Sequence, residues 1–515
     1  MAGVWLLLAF VAVSAVVAMR LGPAADFDLR NYHLYDAQAL LGGRIRQDLA
    51  PAQAQTFHAP SLDILIELIR RPLNDWPRAF VSILAAPYAI CVWTVWRLQA
   101  SMLLRWGRAR YILHAVAIWA AATGAAALPT IGTPMSEAPC IALLLAACLI
   151  CIDAPGRRGL VAAGLCLGAA VGLKLTAAGP ACGVTLAWLL TDPLPSRWRR
   201  AAWLAGSALL ALALVAGWWW GFLWWRTGNP LFPYFNDVFG APWLPHVRLA
   251  DRRFLPRSLL QAVFYPFWWA VRPGTLASEL TVRDPRLAAA EGVVIVAAVL
   301  LVLASLRCLR RPAWLDRRAV FVMIVWAVTY AAWALQFGVL RYLAVLEFLG
   351  GVVFVLPLRT LAPRWQMPAA LAAAVLALGA GAVTVLPDWG RLGPTAAHVV
   401  DVRLPAPIPA GSLVVLLDPA PMAYVALALP RTVALVGANS NLVRPGDDTG
   451  LARAIAARIA GHAGPIYGLE TPADGGAADA ATLRAHRLHR LPGCVAVHSN
   501  LDGDAMRLCP LARDP

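Results

Sequence analysis

The residues whose types and spacing could do chemistry begin just behind the first apolar run. Asp26-Phe27-Asp28 leads into Leu29-Arg30-Asn31-Tyr32-His33-Leu34-Tyr35. A carboxylate held at a membrane surface can act as general base toward a hydroxyl, the acceptor arriving from water and the donor from the bilayer. Asp-x-Asp is a short and common pattern, and helix capping or plain solvation explains Asp26 and Asp28 equally simply. Tyr32, His33 and, farther along the same segment, His58 could bond a sugar. Two histidines without ligand spacing are weak evidence for a metal.

The second group is cationic. Lys174, in Gly172-Leu173-Lys174-Leu175-Thr176, is the single lysine of the chain and interrupts an apolar stretch. An ionisable group near membrane depth is costly and usually faces a partner or a cavity. A phosphate is a fitting partner, and snorkelling to the surface is the bland alternative. Arg341 follows Gln336-Phe337-Gly338 at another helix end; a guanidinium there can grip a lipid phosphate in bidentate fashion and stabilise charge on a leaving group. Glu347 is expected to be its counter-ion within the membrane. Glu137, at the end of Gly132-Thr133-Pro134-Met135-Ser136-Glu137, is a second acidic candidate that could approach the first-loop aspartates or cap a helix. Arg226-Thr227-Gly228-Asn229-Pro230-Leu231-Phe232-Pro233-Tyr234-Phe235 is rich in turn formers and aromatics, and its Asn229 is a candidate contact for an acceptor sugar. Arg252, Arg253, Arg257, Arg283 and Arg286 flank aromatic residues 264–269, a pairing that suits an anionic headgroup, with Arg257 the choice for a donor phosphate.

These groups need elements to position them, and composition says which kind. Of 515 residues, 60% are hydrophobic and 14% charged, with a mean hydropathy of +0.65. A soluble globule is excluded on those figures. Continuous apolar runs favour helices over alternating barrel strands. Candidate spans fall at 4–19, 77–96, 111–128, 136–152, 159–173, 177–190, 201–225, 287–306, 319–335, 342–358 and 367–386, about eleven helices in all. The first run lacks a basic leader and a convincing cleavage site, so it is read as retained.

Alternate connections hold the arginines: Arg97, Arg105, Arg108 and Arg110, then Arg157 and Arg158, then Arg197, Arg199 and Arg200, then Arg307, Arg310, Arg311, Arg317 and Arg318, then Arg359 and Arg364. Positive charge is retained in the cytoplasm. The N-terminus is therefore expected inside, with the loops 22–76 and 226–286 and the C-terminal tail outside. The net charge of +16 reflects this topology signal rather than a nucleic-acid partner. From 387 the pattern turns soluble: runs at 413–417 and 432–436 read as buried strands and 451–459 as a helix, a small α/β domain. Most of the nine cysteines sit in or beside apolar runs. Cys494 and Cys509 fall in the tail, where an oxidising compartment would let them pair.

Taken together, Asp28-Leu29-Arg30-Asn31-Tyr32-His33, Gly172-Leu173-Lys174-Leu175-Thr176, Gly228-Asn229-Pro230-Leu231-Phe232-Pro233 and Arg341-Tyr342 resemble the GT-C superfamily of membrane glycosyltransferases, in particular bacterial members related to families 87 and 39. The resemblance covers most of residues 1–386. It implies a mainly α, polytopic catalytic bundle, with the periplasmic α/β domain at 387–515. It also implies a polyprenyl-phosphate-sugar donor, hexosyl or pentosyl transfer by a single inverting displacement, and a first-loop aspartate as base, a role carried to Asp28 with Asp26 second. The adjacent Asp-Glu pair of the protein mannosyltransferase-like branch is missing, which leaves the help of a divalent metal, Mg or Mn, open. The expected setting is a bacterial inner membrane, with membrane lipids and a glycan, lipid or protein acceptor as partners. Two rival readings accompany it: a transporter or flippase of lipid-linked saccharides, and a polymerase or ligase acting on lipid-diphosphate oligosaccharides.

Overall fold

A computed structural model describes residues 2–103, 106–308, 310–471, 476–501 and 506–514; Arg105 of the first arginine-rich loop lies outside the described residues. Every apolar stretch read from the sequence contains a helix. Among the described residues, seven helices are long and apolar enough to cross a membrane. Others are shorter, such as Ala109–Ala122 and Leu175–Thr191. Apolar side chains without cover, including Trp5, Leu209, Leu214 and Leu376, project outward as they would toward hydrocarbon.

Two spans are less regular than their periodicity predicts. The run from Pro77 steps at Ala85, with Pro77–Leu84 giving way to Ala86–Ala100, where Pro87 cannot donate to the preceding turn. The long helix from Arg197 carries a π-turn at Ala213–Gly217 before continuing as Trp218–Thr227. The closest packing is set by glycine. Gly164, Gly168 and Gly172 recur every fourth residue on Arg157–Leu173, and a Cβ at Gly164 would stand 2.2 Å from the Leu204 carbonyl oxygen and at Gly168 1.9 Å from that of Ala208. Only a face without side chains lets the two helix backbones approach so far, the small-residue packing typical of membrane helices. It fixes the end of the helix that leads into Lys174.

The arginine-rich connections share one end of the bundle. Arg97 and Arg318 lie 3.9 and 3.6 Å from Asp153, while Arg200 and Arg317 lie 2.6 and 3.7 Å from Asp192. The loops bearing Asp28, Glu137, Lys174 and Arg341 share the other end with the C-terminal domain. That domain is the expected α/β unit. Its sheet runs Ala434–Gly437, Leu413–Leu416, Ile466–Glu470, Arg507–Arg513, Leu488–Arg490, the first three strands parallel and the rest antiparallel. The helix Gly450–Ala460 connects the strand Ala434–Gly437 to Ile466–Glu470. Cys494 and Cys509 are joined as a disulfide.

In the first loop the chain forms a helix, Leu34–Leu41, preceded by a π-turn at Leu29–His33. Leu34, Tyr35, Asp36, Ala37 and Ala39 are buried, and the segment that follows docks on the soluble domain. Arg44 donates to the carbonyls of Pro430 at 3.1 Å and Val433 at 2.7 Å, and Leu49 bridges to Val436 beside the edge strand. Buried apolar side chains on both faces give more stabilisation than one face laid against headgroups. The loop is thus a mortise between bundle and sheet.

Candidate active site

Asp28 immediately precedes the π-turn Leu29–His33 without a side-chain capping bond, and the turn buries Tyr32 and His33. Its Oδ2 accepts a hydrogen bond from Arg341 Nη1 at 2.6 Å, across 313 residues of sequence. Arg341 stands in the 3-10 turn Leu340–Leu343 that starts the next buried helix. Gly338 makes that entry possible: its φ is +67°, and a Cβ there would meet the Phe254 carbonyl oxygen at 2.0 Å. The Arg341 guanidinium also lies 5.5 Å from the Tyr342 ring and 5.6 Å from that of Trp389. Its Nε is buried without a hydrogen-bond partner among the described residues.

A second ion pair adjoins the first. Lys174 Nζ donates to Glu137 Oε1 and sits 5.1 Å from the Tyr342 ring, so the same tyrosine ring neighbours both cations. Two carboxylates and two cations therefore meet at the end of the bundle. Glu347 is not among them, contrary to expectation. It points toward the neighbouring turn and accepts from the backbone N–H of Ala126 and Ala127, each at 2.8 Å, while Asp284 takes that of Ala125 at 3.0 Å. The turn offers unpaired donors that only buried carboxylates can answer. Arg341 instead has Asp28 as counter-ion.

The remaining candidates divide. Asp26 is buried and accepts from the Leu29 N–H at 2.9 Å. Burial, then the charge of Asp28, pushes its carboxyl above the usual range. For Asp28 burial acts in the same direction, but Arg341, with His33 and Lys174 behind it, outweighs burial and holds the carboxyl below its ordinary value. His33 Nδ1 lies 2.6 Å from Asp63 Oδ1. Burial would lower the His33 pKa, and Asp63 more than reverses that. Tyr32 packs against His58, ring centres 5.3 Å apart, and His58 Nε2 pairs with the Tyr234 hydroxyl at 3.0 Å. Burial pushes His58 down to about 4. His58 thus has a protein partner in place, whereas His33, held at Nδ1 by Asp63, has its Nε2 buried without a hydrogen-bond partner among the described residues.

Asn229 and Arg257 fall elsewhere. The Asn229 amide is fully buried and ties its own loop, donating to Tyr234 O at 2.9 Å and accepting from Leu231 N at 2.9 Å. Its spacing among turn formers is the reason, since such a loop needs internal partners. It holds Tyr234 in position instead of meeting solvent. Arg257 is exposed on the turn before the helix Leu259–Val271, its backbone N–H taken by Gln261 at 2.6 Å. It does not join the cluster. Asp63 and Trp389 carry no sign in the sequence, and Tyr234 and Tyr342 stand there only as members of motifs, with no role of their own. Trp389 stood beyond the last apolar run; the chain behind it turns back, with Gly390 O accepting from Ala25 N and Arg391 donating to the Gly22, Pro129 and Ile131 carbonyls.

No group of three or more His, Cys, Asp or Glu side chains that could hold a metal ion occurs among the described residues. Asp28 and Glu137 are each matched by a cation.

An apolar bundle with this polar cluster at one end and a small sheet domain beyond it is a fold shared with solved proteins. No family model matches the sequence, and no curated protein matches it. Solved structures do. Arabinofuranosyltransferase AftD from Mycobacteria aligns with 99% of this chain at 18% identity and TM-score 0.55. This chain spans 40% of that protein's length. ArnT from Cupriavidus metallidurans, bound to undecaprenyl phosphate, aligns over 98% of this chain and 97% of its own, at 13% identity and TM-score 0.52.

Proposed function

We propose that this protein is a membrane glycosyltransferase that takes its sugar from a polyprenyl-phosphate donor and passes it, with inversion, to an acceptor hydroxyl. The observation that carries the reading is the 2.6 Å contact between Asp28 and Arg341, with the Glu137–Lys174 pair beside it. A general base and two phosphate-binding cations thereby stand within one cluster at a bundle end. The lipid bound by the ArnT structure supports the donor class, and the arabinofuranosyl transfer named for AftD supports the reaction type.

In the resting chain Asp28 is a poor base, because Arg341 stabilises its charged form. An entering lipid phosphate competes for the same guanidinium, whose Nε is free to bond it. As Arg341 turns toward the phosphate, Asp28 keeps its burial and loses its principal counter-charge, so its proton affinity rises. The acceptor oxygen then attacks the anomeric carbon, the bond from that carbon to the phosphate oxygen breaks, and the hydroxyl proton passes to Asp28. Arg341 and Lys174 meet the charge that collects on the departing phosphate, fixed before it develops.

The arginine-rich loops gather at the end opposite this cluster, which supports an inner-membrane protein with its catalytic end and C-terminal domain outside the cytoplasm. Purified protein incubated with a polyprenyl-phosphate sugar tests the reaction by release of polyprenyl phosphate. A flippase would release none, and a polymerase or ligase would leave this donor intact and release carrier, as the diphosphate, only from a lipid-diphosphate oligosaccharide. Failure of release from every such donor would end the proposal.

A further inference from the structure

Beside the catalytic cluster lies a cavity that the mechanism above does not use. It lies between the first loop, the helix Trp218–Thr227 and the C-terminal domain, an open mouth above an inner space of about 30 Å³. Its walls include Tyr35, Phe57, Trp219 and Trp243, with Asp36 and Arg226 as polar members. The deep end is narrow and takes no more than a hydroxyl-sized group.

Most polar groups of the lining have partners. Tyr35 donates to Asp48 at 3.1 Å, Asp48 is paired with Arg44, and Arg226 donates to the Ile45 carbonyl at 2.7 Å. The Trp219 indole is fixed by a 2.9 Å bond to Phe57 O. Asp36 is 5% exposed, and neither of its carboxyl oxygens has a hydrogen-bond partner among the described residues. A buried carboxyl left so costs on the order of 1–3 kcal/mol or more. A ligand hydroxyl would relieve that cost.

The position of Asp36 relates this cavity to the reaction. Asp28, Tyr32 and Asp36 follow at four-residue intervals along one helical segment. Eight residues of helix span about 12 Å. The walls connect as well: Phe57 lines the cavity while His58, the next residue, packs on Tyr32 at the catalytic cluster. Aromatic faces beside a hydrogen-bonding carboxyl are the means by which proteins hold the apolar face and the hydroxyls of a sugar ring.

We infer that this cavity is an acceptor subsite for a second sugar ring, so that the acceptor is a saccharide of at least two residues with one ring at Asp28 and the next held against Asp36 and Trp219. This rests on the glycosyltransferase reading for its direction, while the cavity itself is tested by binding alone. The full chain in nanodiscs is examined by saturation-transfer NMR with methyl glycosides of arabinose, mannose and glucose and with disaccharides of the same sugars. At least one disaccharide should receive several-fold more saturation than its monosaccharide. Asp36→Asn, nearly isosteric, should remove most of that excess. Ala39→Leu, which fills the cavity from the next turn, should do the same without touching the carboxyl. Equal signals for mono- and disaccharides, no binding at all, or full disaccharide binding by both variants would each overturn the subsite. A chain that binds disaccharide yet releases no polyprenyl phosphate keeps the subsite and loses the reaction; a chain that turns over donor with no preference for acceptor length does the reverse.

Discussion

Asp28 and Glu347 are both carboxylates buried at the same end of one helical bundle, and their surroundings differ in kind. Glu347 is answered by backbone: the N–H groups of Ala126 and Ala127 converge on it, and Gly124 leaves room, since a Cβ there would fall 2.1 Å from Glu347 Oε2. Asp28 is answered by a side chain, one guanidinium at 2.6 Å. A backbone donor cannot leave without unfolding its turn, whereas a guanidinium can swing to another anion. The first arrangement holds the loop that ends in Glu137; the second can exchange its partner for a substrate. Buried charge in a membrane bundle therefore reads as structure or as function according to whether its partner can move.

The largest effect should fall on Asp28. Asp28→Asn keeps the shape and removes the base, and transfer should fall by roughly 10²–10⁴-fold, measured as polyprenyl phosphate released per minute. Turnover at the wild-type rate would remove Asp28 from the mechanism. Arg341→Ala should lower turnover by roughly 10²–10³-fold, as for a lost donor to developing charge. A rate unchanged by this variant would mean that the guanidinium only neutralises Asp28. Lys174→Ala should cost less, about tenfold, or about 1.4 kcal/mol of barrier, because Glu137 already shares that cation.

Glu347 should respond in the other coordinate. Glu347→Ala leaves the Ala126 and Ala127 N–H groups buried and unmatched, and should destabilise the protein by about 1–3 kcal/mol per orphaned group. A fall in thermal midpoint, with the remaining folded protein still active, is the expected result. An unshifted midpoint with lost activity would erase the distinction between the two carboxylates.

The helices were legible because length and hydropathy are local properties, and lipid forces every span to satisfy its own backbone. The strands at Leu413–Leu416 and Ala434–Gly437 were legible for a similar reason, being fully buried apolar runs. Asp28, Lys174 and Arg341 could be singled out because each is a charge where apolar residues surround it. Their pairing could not: Asp28 meets Arg341 and Glu137 meets Lys174 across long sequence intervals, and the choice of Asp28 over Glu347 as the partner of Arg341 depends on a turn at Ala125–Ala127 that no periodicity marks. Asp63 and Trp389 carried no signal of their own. The docking of the first loop on the sheet was hidden too, because Arg44 and Leu49 read as ordinary loop residues until Val433 and Val436 are beside them.

The two histidines extend the comparison to proton binding, with opposite signs on one loop. His33 is raised above 6.5 by Asp63 despite burial, so the fold binds its proton more tightly than the unfolded chain. Its contribution is complete below pH 6.5 and is lost as pH rises through the elevated folded value. His58 is lowered to about 4 by burial, so between pH 6.5 and 4 the unfolded chain binds the extra proton and stability falls as pH falls. The shift corresponds to at most about 3 kcal/mol, less for a ring that keeps some exposure. These two groups alone place the stability optimum near pH 6.5. His58→Phe should flatten the acid side of the midpoint-versus-pH curve from pH 6.5 to 4 and leave the alkaline side unchanged. If the acid slope of that variant equals the wild type's, then water reaches His58 freely and the Tyr234 contact at 3.0 Å does not shield it.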